Sequence, residues 1–312
     1  MTTMEPALRT PQDERPGGSP LSARGLVLRG VDHTARPTWK LRETINFYRD
    51  ILGLPLVHVI SARGWGPATH PDFLHFFFDS GHGSTIAFFY YLGSEPPPEM
   101  RDRPPMPPVP EDHVFDATHT AWLVEDQEEL RAWKKKLEDA GLQVSVETTH
   151  EVIESIYVRD PNGYFIEFTR KLRPLGPVDA LDGELTLQAA IEAEARAQAE
   201  DRKISDIAEI WARKAGLVAA RLQPGRAFDR AGVRIFIPRV REFAPIVEDA
   251  RARSECRVES IGDYDFIESD GPLEFRRKAL GLKPAIWYGL FTGGLQGRIE
   301  LLDRDRVRIV PA

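Results

Sequence analysis

Two histidines and one glutamate have the residue types and the settings needed for a metal site. His33 lies in the segment GVDHTA, His119 lies in the similar segment DATHTAW, and Glu167 lies in YFIEF, shortly after the turn segment RDPNG. Two imidazoles and one carboxylate that converge on a point form a three-ligand facial site, which leaves metal positions open for a substrate and for oxygen. These side chains can act together only if the fold brings them to one place.

The first half of the chain is predicted to contain two copies of one βαβββ module. Residues 26–92 have the pattern of a strand, a helix ending at Gly53 and three further strands. Residues 115–170 repeat that order, with a helix ending at Gly141. The segment between them, residues 93–114, is dense in proline. Because proline has no donor for a sheet ladder, this segment is predicted to be an extended linker.

The spacing supports the duplication. Gly53 follows His33 by 20 residues and Gly141 follows His119 by 22, and a leucine follows each glycine. The two histidines therefore occupy equivalent places on the first strands of the two modules. If the modules are related by a pseudo-two-fold axis, the histidines face each other across a shared concave sheet.

The rest of the chain divides by composition. We predict a disordered tail over 1–25, the paired modules over 26–172, a helical linker over 173–200 and an α+β domain over 201–312. The fold class is thus α+β, with paired βαβββ modules that form a concave metal-binding sheet and a C-terminal α+β domain. The glycine-rich segment FTGGLQGR in that domain lacks the spacing of a phosphate-binding loop, and a turn between a helix and a strand is the better interpretation.

Charge and composition narrow the classes of partner. The formal net charge of −7 argues against nucleic acid and anionic membranes, which favour basic patches. No run approaches the roughly 20 apolar residues that span a bilayer. The single cysteine, Cys256, rules out an intramolecular disulfide framework and fits a reducing cytoplasm. We therefore expect a cytoplasmic protein with no membrane or nucleic-acid partner, and a homo-oligomer is left open.

The duplicated module, with a histidine on each first strand and the closing segment RDPNGYFIEF, resembles the vicinal oxygen chelate superfamily. This superfamily includes extradiol dioxygenases, glyoxalases, epimerases and resistance proteins that bind fosfomycin or bleomycin. The resemblance covers roughly residues 26–172. It implies that His33, His119 and Glu167 are the metal ligands.

Within the superfamily, the sequence is closest to the type I extradiol dioxygenases. Glyoxalase-like members take a further ligand from the last strand of the first module, but here that strand, STIAFFYY, offers no carboxylate, amide or imidazole. In addition, Tyr157 precedes Glu167 by ten residues, which is the place of a tyrosine in extradiol enzymes. A phenol there would hydrogen-bond a substrate oxygen.

The resemblance also implies an acid/base histidine that is not a ligand. The histidines near enough in the sequence are His75, His82, His113 and His150, of which we retain His75 and His150 as catalytic candidates. One face of the aromatic strands should line the concave sheet and hold a ring. The candidates for substrate binding are Phe76, Phe88 and Trp122.

These features predict a non-haem Fe(II) dioxygenase that acts on O2 and a catechol-like or other vicinal-oxygen aromatic substrate. Mn(II) or another divalent metal would satisfy the same ligands. One alternative is a metal-dependent isomerase or lyase of the glyoxalase type, and another is a binding or resistance protein that holds a flat molecule without turnover. An isomerase should not consume oxygen, and a sequestering protein should not need metal.

Overall fold

The computed structural model describes residues 30–63, 70–101, 117–222 and 232–312, which fall into two compact units. The N-terminal unit contains the described residues up to Thr148 together with Ile153–Leu172. The C-terminal unit contains Thr149–Val152 and Arg173–Ala312. The predicted tail over 1–25, His113 and most of the proline-dense linker lie outside the described residues.

The N-terminal unit contains two sets of elements in the predicted order. The first set consists of β1 (His33–Pro37), α1 (Leu41–Ile45, continuing as a π-helix over Asn46–Ile51), β2 (Leu56–Ala62), β3 (Phe73–Gly81) and β4 (Ser84–Tyr91). The second set consists of β5 (His119–Leu123), α2 (Gln127–Asp139), β6 (Thr148–Thr149), β7 (Ile153–Arg159) and β8 (Phe165–Lys171). A 3₁₀ turn over Pro98–Met100 follows the first set.

The two modules form sheets of identical topology. Their strand orders are β1-β4-β3-β2 and β5-β8-β7-β6, and in each sheet the first strand pairs in parallel with the last. The predicted α+β fold with paired βαβββ modules is therefore confirmed. One strand is shorter than predicted, since β6 retains only Thr148 and Thr149 of the segment QVSVETTH.

Each sheet has one face covered by its helix, and these faces share one hydrophobic core. Residues spaced two apart point to one side of a strand, and the core takes Phe76 and Phe78 from β3 and Ile156 and Val158 from β7. The helix side of this core contains Phe47, Tyr48, Leu52, Leu130 and Leu137, all nearly inaccessible to solvent. The opposite face of each sheet remains available for a site.

The turn segment RDPNG joins the two modules. The carboxylate of Asp160 accepts hydrogen bonds from the backbone N–H groups of Asn162 and Tyr164, at 2.8 and 2.9 Å, and from the Tyr48 hydroxyl at 2.9 Å. Asn162 accepts a bond from the Thr38 hydroxyl through Oδ1 at 2.8 Å. The turn formers of the second module thus also satisfy buried polar groups of the first, which fixes the relative position of the two sheets.

Replacing Asn162 with alanine is expected to destabilise the N-terminal unit by about 1–3 kcal/mol, because the Thr44 hydroxyl and the Trp39 N–H lose buried partners. Urea unfolding measures this change. The exposed loop substitution Gln143→Ala is the control and should change the free energy of unfolding by less than about 0.5 kcal/mol. An Asn162→Ala protein as stable as the control would show that the turn does not hold the modules together.

The C-terminal unit is also α+β. Its helices are α3 (Pro177–Ala199), α4 (Ile207–Leu222), α5 (Ala244–Arg251, preceded by a 3₁₀ turn over Arg241–Phe243) and α6 (Pro284–Tyr288). Its strands are β9 (Val233–Pro238), β10 (Arg257–Ile261), β11 (Tyr264–Ser269), β12 (Leu273–Arg276), β13 (Leu295–Gln296), β14 (Arg298–Leu302) and β15 (Arg306–Val310). They form one sheet of order β10-β11-β9-β13 and another of order β12-β15-β14. Within the described ranges, no helix is long and apolar enough to cross a membrane.

The helix α3 differs from the predicted linker because it is part of the C-terminal unit. Its small buried residues Ala189, Ala193 and Ala197 recur every four positions, and Leu185 packs with residues of α4 and β11. The segment FTGGLQGR forms the predicted turn between a helix and a strand. A Cβ at Gly293 would lie 2.2 Å from the Phe236 carbonyl oxygen, so close backbone packing requires the glycine.

Candidate functional site

We call the face of each sheet that is not covered by its helix the open face. The open face of the second module carries the polar residues of interest. Glu167 on β8 pairs with Ala121 on β5 and with Tyr157 on β7. His119 lies two residues before Ala121, and Ser155 lies two residues before Tyr157, so all four polar side chains share one face of the sheet. The opposite face packs Ile166 and the other core residues against the helix.

His119 and Glu167 lie in direct contact. Nε2 of His119 is 3.0 Å from Oε2 of Glu167, and the two side chains are 33% and 5% exposed. Adjacent ligands at about 2.1 Å from an octahedral metal lie about 3.0 Å apart. The pair therefore fits two neighbouring positions around a divalent ion, with an accessible imidazole and a buried carboxylate.

Two hydroxyl groups hold the Glu167 carboxylate. The Ser155 hydroxyl donates to Oε1 at 2.5 Å, and the Tyr157 hydroxyl lies at a longer 3.4 Å from the same oxygen. Burial, followed by the charge of Glu167, raises the pKa of Tyr157 to about 12. The phenol is thus a neutral proton donor near neutral pH. Its ring stacks on Phe165 with centroids 4.9 Å apart, which fixes its direction.

If the site has the dioxygenase activity that the sequence predicts, replacing Tyr157 with phenylalanine is expected to lower kcat about 100-fold or more, since a positioned proton donor contributes on that scale. The stacked ring remains, so metal affinity should change little. Steady-state kinetics together with metal titration separate the two effects. Equal kcat in both proteins would remove Tyr157 from catalysis, and an equal loss of metal binding would assign it a structural role.

His33 is oriented by its neighbour. Its Nδ1 donates to Oδ1 of Asp32 at 2.7 Å, and its ring stands edge-on to Phe77 with centroids 5.8 Å apart. A carboxylate on Nδ1 is the arrangement that typically leaves Nε2 available to a metal. However, across the described ranges no three His, Cys, Asp or Glu side chains form a group able to hold a metal ion. The structure thus unites two of the three expected ligands, and His33 as the third stays a prediction.

His75 lies on the open face of the first module. Its Nδ1 donates to the Phe88 carbonyl at 3.1 Å, and its ring stacks on Phe89 with centroids 3.6 Å apart. Burial lowers the pKa of His75, and the nearby His33 and His58 lower it further. The imidazole is therefore neutral near neutral pH, with Nε2 as the unprotonated nitrogen. This is compatible with the predicted role as a base.

The other histidine candidates lie elsewhere. His150 belongs to the segment Thr149–Val152 of the C-terminal unit, and its catalytic role stays a prediction. His82 occupies the turn between β3 and β4, where its φ is +52°. Neither position gives support to a catalytic role.

The aromatic residues predicted to bind substrate need correction. Phe76 and Phe88 are 3% and 0% exposed and stack on each other in the core, on the helix side of their sheet. Trp122 likewise contacts Tyr48 and Phe168 on the helix side of its own sheet. A run of three phenylalanines does not reveal which member faces the helix. By strand alternation, the rings on the open face include those of Phe77 and Phe89.

Sequence reasoning also missed Ser155. Its position two residues before Tyr157 on a strand would have placed it on the same face.

The pairing of the strands shows a difference between the two modules. Ala35 pairs with Ala87 in the first module as Ala121 pairs with Glu167 in the second. The first module thus has a methyl group where the second has its carboxylate, as expected from STIAFFYY.

Comparison with known proteins bears on the N-terminal unit. Residues 30–168 match the family model described as the Glyoxalase/Bleomycin resistance protein/Dioxygenase superfamily. No curated protein sequence matches the chain.

Several solved structures are similar to part of the chain. The lactoylglutathione lyase from Agrobacterium tumefaciens is 22% identical, over 46% of this chain and 94% of its own, with a TM-score of 0.32. A glyoxylase/bleomycin resistance protein/dioxygenase domain from Frankia sp. EAN1pec is 19% identical, over 46% and 99%, with a TM-score of 0.33. The antibiotic-binding protein TnmS3 from Streptomyces sp. CB03234 is 15% identical, over 47% and 99%, with a TM-score of 0.32.

The match to the family model coincides with the paired modules and ends just after Glu167. Residues 30–168 are therefore a domain of the glyoxalase/bleomycin resistance protein/dioxygenase superfamily, the vicinal oxygen chelate fold.

Proposed function

We propose that this domain is a metal-dependent dioxygenase of the extradiol type, which cleaves a catechol-like aromatic ring beside a diol carbon. His119 and Glu167 would hold a divalent ion, Fe(II) or alternatively Mn(II), with His33 as the third ligand. The bound metal would supply a Lewis acid with open positions for two vicinal substrate oxygens and for O2. The substrate class and the metal follow from the resemblance and from the donor set.

The observation that carries this proposal is the 3.0 Å contact between His119 and Glu167. A carboxylate as buried as Glu167 is costly unless it is paired, and a metal would add to the partners it already has. The methyl group of Ala87 occupies the equivalent place on the last strand of the first module, so that position offers no carboxylate. This absence favours oxygen chemistry over an isomerase.

The residues around the pair have definite tasks in this proposal. The neutral phenol of Tyr157 donates a hydrogen bond to a substrate oxygen and steers the ring. Ser155 keeps the Glu167 carboxylate oriented through Oε1, which leaves Oε2 directed at His119. Across the open face, Phe77 and Phe89 supply apolar surface for the ring, and the neutral His75 accepts a proton at Nε2.

Oxygen uptake by the anaerobically reconstituted Fe(II) protein tests the proposal. Catechol, 3-methylcatechol and 4-methylcatechol serve as substrates, and hydroquinone, whose hydroxyl groups are not adjacent, serves as the control. The expected result is one O2 consumed per catechol, no uptake with hydroquinone, and no uptake with His119→Ala. Stoichiometric bound iron without uptake for any catechol would overturn the extradiol assignment.

One observation favours a second function. In the described residues His33 is not grouped with His119 and Glu167, and a binding protein for flat aromatic molecules needs no assembled metal site. In such a protein, a bound ligand would quench the fluorescence of the aromatic residues on the open face. The quenching would be equally strong in EDTA and in Fe(II). Ligand binding that requires metal would exclude it.

A further inference from the structure

We propose that Ser155 and Thr169 are positioning residues that restrict Glu167 to binding the metal through Oε2 alone. This restriction keeps one coordination position open for O2 while a catechol occupies two others. The inference rests on the proposed function, because it concerns the same metal site. Both hydroxyl groups act through the Glu167 carboxylate and touch neither the metal nor the substrate.

The two oxygens of the Glu167 carboxylate have different surroundings. Oε2 lies 3.0 Å from Nε2 of His119. Oε1 accepts from the Ser155 hydroxyl at 2.5 Å and lies 3.4 Å from the Tyr157 hydroxyl. A carboxylate oxygen has about two lone-pair sites, so these two hydroxyl groups occupy those of Oε1. In the proposed reaction the Tyr157 phenol donates to a substrate oxygen, and Ser155 is then the donor that remains on Oε1.

The Thr169 hydroxyl fixes the direction of the Ser155 hydroxyl. Ser155 is fully buried, and its Oγ lies 3.0 Å from Oγ1 of Thr169 on the neighbouring strand. Because a serine hydroxyl has one hydrogen, which Glu167 accepts, Ser155 is the acceptor in its contact with Thr169. A hydroxyl held from both sides rotates away from Oε1 only by breaking a buried hydrogen bond, which costs free energy.

The first module shows that the βαβββ fold does not require these hydroxyl groups. Ser155 pairs with Thr169 across β7 and β8. At the equivalent place across β3 and β4, His75 pairs with Phe89, and their rings stack. The two small hydroxyl side chains thus occur in the module that has the carboxylate, and rings replace them in the module that has Ala87 at the corresponding position. This difference associates the hydroxyl pair with the carboxylate and not with the folding of the sheet.

The mode of carboxylate binding decides whether a catechol and O2 can be held together. A carboxylate can bind a metal through one oxygen or through both. An octahedral ion has six positions, and the proposed protein ligands take three of them if Glu167 binds through one oxygen. A catechol takes two more, which leaves one for O2. If Oε1 also bound, that last position would be lost.

Nitric oxide binding to the anaerobic Fe(II) protein, followed by electron paramagnetic resonance, tests this inference without turnover. Nitric oxide is the probe because it binds Fe(II) at an open position, as O2 does. With saturating catechol, we expect Ser155→Ala to bind nitric oxide at least about tenfold more weakly than the wild type, the usual scale for a group that orients a ligand. Without catechol, the two proteins should bind nitric oxide equally, because positions then remain open in both.

Further variants separate positioning from stability. Ser155→Thr retains the hydroxyl group and should restore nitric oxide binding beside catechol. Thr169→Val keeps the shape of the side chain but removes its hydroxyl, and it should show the same selective loss at a smaller size. Ser61→Ala makes the matched change at an exposed position of β2 and should behave as the wild type does. A general loss of folding or of Fe(II) binding would instead weaken nitric oxide binding equally with and without catechol.

Wild-type affinity of Ser155→Ala for nitric oxide beside catechol would overturn the inference. If Ser155→Ala does not fold, wild-type affinity in Thr169→Val has the same meaning. In both cases the wild-type protein still binds Fe(II), catechol and nitric oxide together, so the proposed function stands. A wild-type protein that binds nitric oxide only in the absence of catechol would overturn this inference and the dioxygenase proposal together.

Discussion

Replacing Glu167 with glutamine is expected to lower the affinity for Fe(II) at least about 100-fold and to abolish oxygen uptake. Loss of groups that merely orient a ligand already costs 10–100-fold, and Glu167 is the proposed ligand itself. Glutamine has nearly the same shape and can still accept from Ser155, so the sheet should remain intact. What is lost is the anionic oxygen that lies 3.0 Å from Nε2 of His119.

Metal titration by calorimetry under argon measures this effect. The control is Glu128→Gln, which removes the same charge from the exposed first turn of α2 and should leave the affinity unchanged. If Glu167→Gln binds Fe(II) as tightly as the control, Glu167 is not a ligand. Its burial would then be explained by hydrogen bonds to Ser155 and Tyr157 together with the contact to His119.

Replacing Lys214 with methionine is expected to destabilise the C-terminal unit by about 3–5 kcal/mol, the usual cost of removing one partner of a buried ion pair. Lys214 is fully buried, and its partner Asp182 also accepts from the Tyr264 hydroxyl at 2.8 Å. Methionine preserves the packing of the chain but leaves the Asp182 carboxylate without a counter-charge. Stability is therefore lost mainly through that carboxylate.

Urea unfolding followed by tryptophan fluorescence includes a signal from this unit, because Trp211 and Trp287 are buried in its core. The double variant Lys214→Met/Asp182→Asn removes both charges and should recover part of the lost stability, which measures the coupling. Lys203→Met, at an exposed site, is the control. A Lys214→Met protein within about 1 kcal/mol of the wild type would contradict the ion-pair interpretation.

The sequence was most informative where a pattern repeats. Equivalent histidines, helix-ending glycines and the RDPNG turn were enough to predict two βαβββ modules, and the structure confirms their strand order. The place of Glu167 on the last strand was also predictable. Tyr157 was predicted near Glu167 from the resemblance, but their direct pairing follows from the register of β7 and β8, which depends on hydrogen bonds that a single sequence does not reveal.

Other features depended on packing that no local pattern records. The segment FLHFFFDS has large apolar residues on both faces, so only the position of the helix decides that Phe76 is core and Phe77 is on the open face. The alanine-rich α3 looked solvated, but its residues Ala189, Ala193 and Ala197 are buried, and its Leu185 packs against α4. The strands β12 and β13 contain four and two residues, which are too few to show a period.

The position of His33 illustrates the same limit. The spacing placed it correctly on the first strand of its module, where the structure finds it at the start of β1. The direction of its ring is set by Asp32 and Phe77, and the sequence predicted convergence without that information. Whether His33 completes the metal site is therefore the central question for this domain.

The most direct test of whether His33 completes the metal site is calorimetric titration with Fe(II) under argon. The proteins titrated are the wild type, His33→Ala and His119→Ala. The proposed ligand set predicts one bound ion per chain in the wild type and at least a 100-fold weaker affinity in each variant. An exposed histidine replaced in the same way, His82→Ala, should bind as the wild type does. A wild-type protein that binds no divalent ion, or binding that His119→Ala leaves unchanged, would contradict the metal site.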